Sequence, residues 1–483
     1  MELLRDLVSG AYAAEFGGVP DRVTLLFLPI FNVDGHDRFG PYGRINQNGP
    51  EEMGWRTTAT NLNLNRDYVK ADTPEMQAWL RLYNAWLPDF FIDAHSTDGA
   101  DYQYAITYSL ETGGNLDPGL TSWVRSYEDA MLARMEADGW PMFPYVSFKE
   151  WHDPRSGLQT WVATPRFSQG YTAVRNRPGL LIETHMLKDY ATRVASAGRL
   201  VRHTLAWVQA EADALVRLNR EADARTASPD FRREPFPLRF TAADSVRDVT
   251  FLGVAYSEET SAVTGGSFFR FSADPDTLTL KFWDRMVAAT TAELPEAYLV
   301  PPEWTEVIAR LDRHAVAYRR LAEPVALEVR TWRLNDPSWQ ERPYEGRHPV
   351  RYTPETLVET RVWPTGTAVV DLAQPGARVA AHLLEPEGPD ALVQWGFFAP
   401  IFSRTEYVES YVIERMIPDL LAQNPEWEAE LAARKAEDPE FAANPRAIRD
   451  WFYRRTPYYD QRVGIYPVAC VDDRETVARL PLR

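Results

Sequence analysis

Cysteine is nearly absent. Cys470 is the only one in 483 residues, which excludes an internal disulfide and any cysteine-built zinc cage. A buried thiol is its expected role. Basic charge is also short: 52 Lys and Arg face 69 Asp and Glu, a formal net charge of −17. Phosphate backbones need a basic surface, so nucleic acid is not an expected partner. No apolar run reaches about 18 residues, so no membrane span is expected. Met1 to Tyr12 lacks the basic head and apolar core of a signal peptide. It reads as a helix with Leu3, Leu4 and Leu7 on one face. Histidine is scarce, at 8, and none precedes His36.

A hydrophobic content of 45% and a charged content of 25% suit a folded globular chain. The length calls for two or three domains. Val23 to Ile30 (VTLLFLPI) reads as a buried strand running into the turn Asn32-Val33-Asp34-Gly35. Phe39 to Thr60 reads as a long loop, a kind of segment that more often carries function than not. Pro74 to Trp86 reads as a helix, Phe90 to Ala94 and Tyr102 to Tyr108 as strands, and Leu120 to Ala137 as a helix. Gly179 to Thr184 is a buried strand, and Tyr190 to Asn219 a long helix. Alternating strands and helices predict an α/β domain over residues 1–220 around a mixed, mostly parallel sheet. Polar Glu221 to Pro237 predicts a linker. Residues 238–483 are expected to form an α+β accessory domain. Its strands would be Phe268 to Ala273, Val325 to Leu334, Glu359 to Trp363, Thr367 to Asp371 and Arg378 to Leu384. Its helices would be Val408 to Leu421, Trp427 to Glu437 and Ala447 to Tyr453. The tryptophans of that region, Trp304 and Trp332 among them, suit packing better than a binding face.

Three places carry candidate chemistry. Asn65-Arg66 can grip a carboxylate, because a guanidinium fork matches its two oxygens and an Asn adds a neutral donor. His95 follows an apolar run and would end a strand, the edge where α/β sheets bind ligands. Asp93 lies two residues back on the same face and could orient the ring. Glu183 lies within Leu180-Leu181-Ile182-Glu183-Thr184-His185. A buried carboxylate is costly unless paired or working, and apolar walls would lift its pKa toward that of a general base. Arg175 and Arg177 are the partners that would make it merely structural.

Asn32-Val33-Asp34-Gly35, Trp55-Arg56, Asn63-Leu64-Asn65-Arg66, Asp93-Ala94-His95-Ser96 and Glu183 occur in that order. The order resembles zinc carboxypeptidases of the carboxypeptidase A type over about residues 20 to 215. The resemblance implies that His95 is a zinc ligand and that Asn65 and Arg66 hold the C-terminal carboxylate of a peptide or protein substrate. It implies that Arg56 stabilises the oxyanion, with Arg44 competing for that role. Glu183 would be the general base for zinc-bound water, and Tyr171 the mobile tyrosine that closes over substrate. The cofactor implied is Zn2+.

The resemblance also implies a His-x-x-Glu ligand pair ahead of these motifs, and none is there. His382-Leu383-Leu384-Glu385 lies far downstream and is read as chance. Asn63 stands where the family has an aspartate. The expectation is a catalytic domain truncated at its start, with an incomplete zinc site and no activity as it stands. Any export signal would lie in such a missing segment. The alternatives are a non-catalytic binder of peptide C-termini and a zinc-dependent N-acyl amino acid deacylase.

Overall fold

The computed structural model describes residues 1–18 and 20–483. A four-stranded sheet anchors the first half, in the order Phe91–Ser96, Gly179–Thr184, Ile106–Leu110, Met142–Pro144. Phe91–Ser96 runs parallel to Gly179–Thr184, and Ile106–Leu110 antiparallel to it. Met142–Pro144 runs parallel to Ile106–Leu110. The sheet is thus mixed, and helices cover it. Every residue of Gly179–Thr184 is buried, as an apolar strand between two others should be.

The flanking helices begin where local chemistry starts them. Thr73 caps Pro74–Trp86 by accepting the Met76 N–H at 3.1 Å, with Pro in the first turn. Asp117 and Asp189 cap Pro118–Ala137 and Tyr190–Ala210 in the same manner. The expected single helix to Asn219 is two, Tyr190–Ala210 and Ala212–Thr226. Among the described residues no helix is long and apolar enough to cross a membrane.

Three expectations need correcting. Val23 to Ile30 is neither a strand nor buried. Leu25, Leu26, Phe27 and Leu28 are 40%, 41%, 45% and 50% exposed, because no described strand pairs with them. Glu221 to Pro237 is not a linker. It holds the end of Ala212–Thr226, the helix Pro229–Arg233 and the start of a strand at Phe236. Arg378 to Leu384 is not a strand but part of a fully buried helix, Ala377–Leu384. Burial on all sides removes the one-faced pattern that would have distinguished helix from strand.

The region after residue 238 is bound to the first half rather than standing apart. A six-stranded sheet contains Ala297–Val300, Val325–Trp339 and Val350–Trp363. One apolar core joins Tyr68, Trp79 and Tyr171 to Phe236, Tyr298 and Val370. Another sheet crosses the expected boundary, since Asp153–Gln159 pairs with Ser267–Trp283. Asp72 meets both Arg310 (2.9 Å) and Arg347 (2.7 Å). Cys470 is buried. Residues 410–453 add helices with a small core of their own around Ile413 and Phe452.

Candidate active site

His95 and Glu183 are register partners on adjacent parallel strands. Their side chains therefore leave the same face of the sheet, next to each other. Asp93, two residues before His95, shares that face, and its Oδ2 lies 2.7 Å from His95 Nε2. Burial works to lower the His95 pKa, but the Asp93 carboxylate more than offsets it and raises it to about 9. Glu183 answers mainly to burial, which pushes its pKa up to about 7 although His95 pulls the other way. One of its oxygens, Oε2, is buried without a hydrogen-bond partner. Arg175 and Arg177 do not relieve it: Arg177 pairs with Asp223 at 3.0 Å, and Arg175 donates to the His314 carbonyl at 2.5 Å.

Asn65 and Arg66 lie in a short turn, Leu64–Arg66. Asn63 shapes it, its Oδ1 accepting the Asn65 N–H at 3.0 Å. Glu345, from the second half, accepts the Asn63 N–H at 2.8 Å. Asp67 anchors the other end with contacts to Lys70 (2.5 Å) and to the N–H (2.8 Å) and hydroxyl (2.7 Å) of Thr73. Arg66 donates to the Asn65 carbonyl at 2.7 Å and stacks 4.5 Å from the Phe167 ring. Asn65 Oδ1 is buried and has no partner.

Asn32-Val33-Asp34-Gly35 explains how Arg56 is placed. Asn32 caps the short helix Val33–Asp37 and donates through Nδ2 to the Arg56 carbonyl at 3.0 Å. Gly35 lies so near Trp55 that an added Cβ would sit 2.3 Å from its carbonyl oxygen. Asp34 accepts the Ala59 N–H at 2.8 Å. The motif thus braces the loop that carries Arg56.

One cavity of about 380 Å3 gathers Arg44, Arg56, Asn65, Arg66, His95 and Glu183. Tyr171 is not part of it. The ring is fully buried, and its hydroxyl lies 2.9 Å from His314 Nδ1. His314 Nε2 lies 2.7 Å from the Val69 carbonyl, so Nε2 carries the proton and Nδ1 accepts from Tyr171. A ring held in this way is a core element, not a cover for the cavity. Burial pushes the His314 pKa down to about 3.

Tyr145 and Asp98 line the cavity and were not anticipated. The Tyr145 hydroxyl lies 3.4 Å from Asp98 Oδ1. Asp98 follows His95 by three residues and could have been flagged; Tyr145 gives no local signal. His382-x-x-Glu385 does not line the cavity and lies at the buried helix Ala377–Leu384. Both His382 ring nitrogens are buried and unpartnered, and Glu385 accepts from the Tyr298 hydroxyl at 2.6 Å.

The chain is 23% identical over 405 residues to "Carboxypeptidase 2" of Trichophyton equinum and of Trichophyton tonsurans, covering 80% of this chain and 68% of each relative. A like match, 23% over 407 residues, is found to "Carboxypeptidase 2" of Trichophyton rubrum. The matches support a carboxypeptidase family. No family model matches the chain, and no solved structure matches it significantly.

Does the site fit a zinc ion? His95, with Nε2 held by Asp93, has the carboxylate-oriented ring typical of a metal ligand. Catalytic zinc takes three protein ligands. Among the described residues no group of three His, Cys, Asp or Glu could hold an ion.

Proposed function

We propose that the cavity recognises the free C-terminus of a peptide, as in a carboxypeptidase. Asn65 and Arg66 hold the terminal carboxylate. The observation that carries this reading is the convergence of Asn65, Arg66, Arg56, His95 and Glu183 on one cavity, with Glu183 Oε2 left unpartnered. An arginine fork and a carboxylate make two parallel, charge-assisted hydrogen bonds. Arg56, on the same cavity, meets the oxygen of the last peptide bond, where negative charge would develop on hydrolysis. Glu183, with a pKa near 7, can take or return a proton close to neutral pH. These residues bind, orient and exchange a proton.

The relatives' names favour peptide hydrolysis. The single imidazole at His95 favours a second reading, in which this chain binds C-termini without cutting them. Calorimetry with a peptide and its C-terminal amide tests recognition. The free acid is expected to bind at least about tenfold more tightly, since hydrogen bonds to charged groups contribute roughly 1.5–3 kcal/mol. Arg66→Ala should erase the difference. Equal binding of acid and amide by the unaltered chain would overturn the reading. Release of the terminal residue by the purified chain, followed by mass spectrometry, would reject the binding-only alternative. Binding of an N-acyl amino acid as tight as that of a peptide would favour a deacylase-type ligand.

A further inference from the structure

The reading above gives roles to two of the three guanidinium groups in the cavity. Arg66, with Asn65, meets the terminal carboxylate, and Arg56 meets the oxygen of the last peptide bond. Arg44, the competing candidate for the oxyanion, lines the same cavity and has no role in that reading. It is half-buried, and the charges acting on it are those of Arg56, Glu183 and Asp98. Among the described residues none of the three arginines forms an ion pair. Glu183 and Asp98 act on Arg44 by their charge, but neither forms an ion pair with it. Asp93 is engaged with His95 at 2.7 Å. Asp98 is exposed and meets the Tyr145 hydroxyl.

Arg44 is also held in place. Gly40 and Met53 exchange backbone hydrogen bonds of 3.1 and 2.9 Å. Beside them, a Cβ on Gly43 would sit 2.4 Å from the Gly54 carbonyl oxygen. The two arms of the loop are therefore pressed together, with Arg44 next to Trp55-Arg56. Further along, the Asn48 N–H donates to the Met186 carbonyl at 2.8 Å. Arg193 donates to the Asn48 carbonyl at 3.0 Å. These bonds tie the loop to the segment that follows the Glu183 strand. Arg44 itself has φ 50°, a left-handed conformation that costs free energy in a residue with a side chain. The Gln47 amide oxygen holds the guanidinium, accepting from Nη2 at 2.6 Å and from Nε at 3.1 Å, and a half-buried cation without an ion pair favours an incoming anion.

We propose that Arg44 is a specificity-determining residue that binds a second carboxylate, so that the cavity selects peptides ending in Asp or Glu. The proposal rests on the terminal-carboxylate reading. A terminal acidic residue brings two carboxylates to the site: Asn65 and Arg66 take the backbone one, Arg44 the side-chain one. A cavity of about 380 Å3 is at the small end for ligand sites, roughly 300–1,000 Å3, which suits a terminal residue and little beyond it.

The test is calorimetry with three peptides that differ only at their ends: one ending in Glu, one in the isosteric Gln, and one in Glu with its α-carboxyl amidated. The unaltered chain should bind the Glu peptide about tenfold or more tightly than the Gln peptide. Amidation should weaken binding by a similar factor. Arg44→Gln should bring the Glu-to-Gln ratio to about one, and Arg44→Lys should keep part of the ratio. Equal binding of Glu and Gln peptides, with amidation still harmful, would overturn the role of Arg44 and leave the terminal-carboxylate reading standing. Amide binding as tight as acid binding would overturn both. The comparison of peptides on the unaltered chain decides the matter even if a variant misfolds.

Discussion

Val23 to Ile30 and Gly179 to Thr184 are two apolar runs of the same kind with opposite fates. The first exposes Leu25, Leu26, Phe27 and Leu28, each 40% or more. The second is buried throughout, with Leu180 at 2%, Leu181 at 4% and Ile182 at 0%. Composition separates them little; neighbours separate them completely. Gly179–Thr184 lies between Phe91–Ser96 and Ile106–Leu110, whereas no described strand pairs with residues 23–30. An apolar run states a demand for burial, and only the rest of the fold can meet it. The same buried strand carries Glu183, and burial is the main cause of its raised pKa.

The largest effect that would sharpen the contrast is in the buried run. Ile182→Ala should lower unfolding free energy by about 2–5 kcal/mol, read from denaturant midpoints. A loss under about 1 kcal/mol would mean that the strand is not core. Next comes Glu183→Gln, whose effect should depend on pH. The folded pKa, about 7, lies above the ordinary carboxyl value of 4.5. The folded state therefore holds a proton that the unfolded chain releases between those values. The stability this contributes is fully present below about pH 4.5 and is lost as pH rises through 7. Glu183→Gln, which cannot ionise, should gain stability relative to the unaltered chain across that window, by roughly 3 kcal/mol at most. A gap that does not change with pH would contradict this. The smallest effect is in the exposed run. Leu28→Ser should change stability by no more than about 0.5 kcal/mol while reducing the binding of a hydrophobic dye. A large loss of stability there would show that the run is packed after all.

Much of the site was legible because its residues are placed by local chemistry. Asn63 shapes the turn of Asn65 and Arg66 through a contact two residues away, Asn32 caps its own short helix, and Asp93 meets His95 across a strand repeat. Glu183 was visible as a charge in an apolar run. What escaped the sequence depends on distant partners. Tyr171 is committed to the core by His314, 143 residues away. The polar segment 221–237 is folded in because Arg232 meets Glu296 at 2.8 Å and Phe236 enters the shared core. The helix Ala377–Leu384 is buried all round, so its apolar pattern carried no face. The contacts between the two halves were hidden for the same reason, since the bonds that join them, such as Asp72 to Arg347, span 275 residues.

The measurement that goes most directly to the link between the buried strand and the site is the titration of the Glu183 carboxyl by carbon NMR, assigned by comparison with Glu183→Gln. The expected midpoint is near pH 7. A midpoint near 4.5, the ordinary value, would show that burial does not tune this residue, and the case for Glu183 as a proton acceptor at neutral pH would fall.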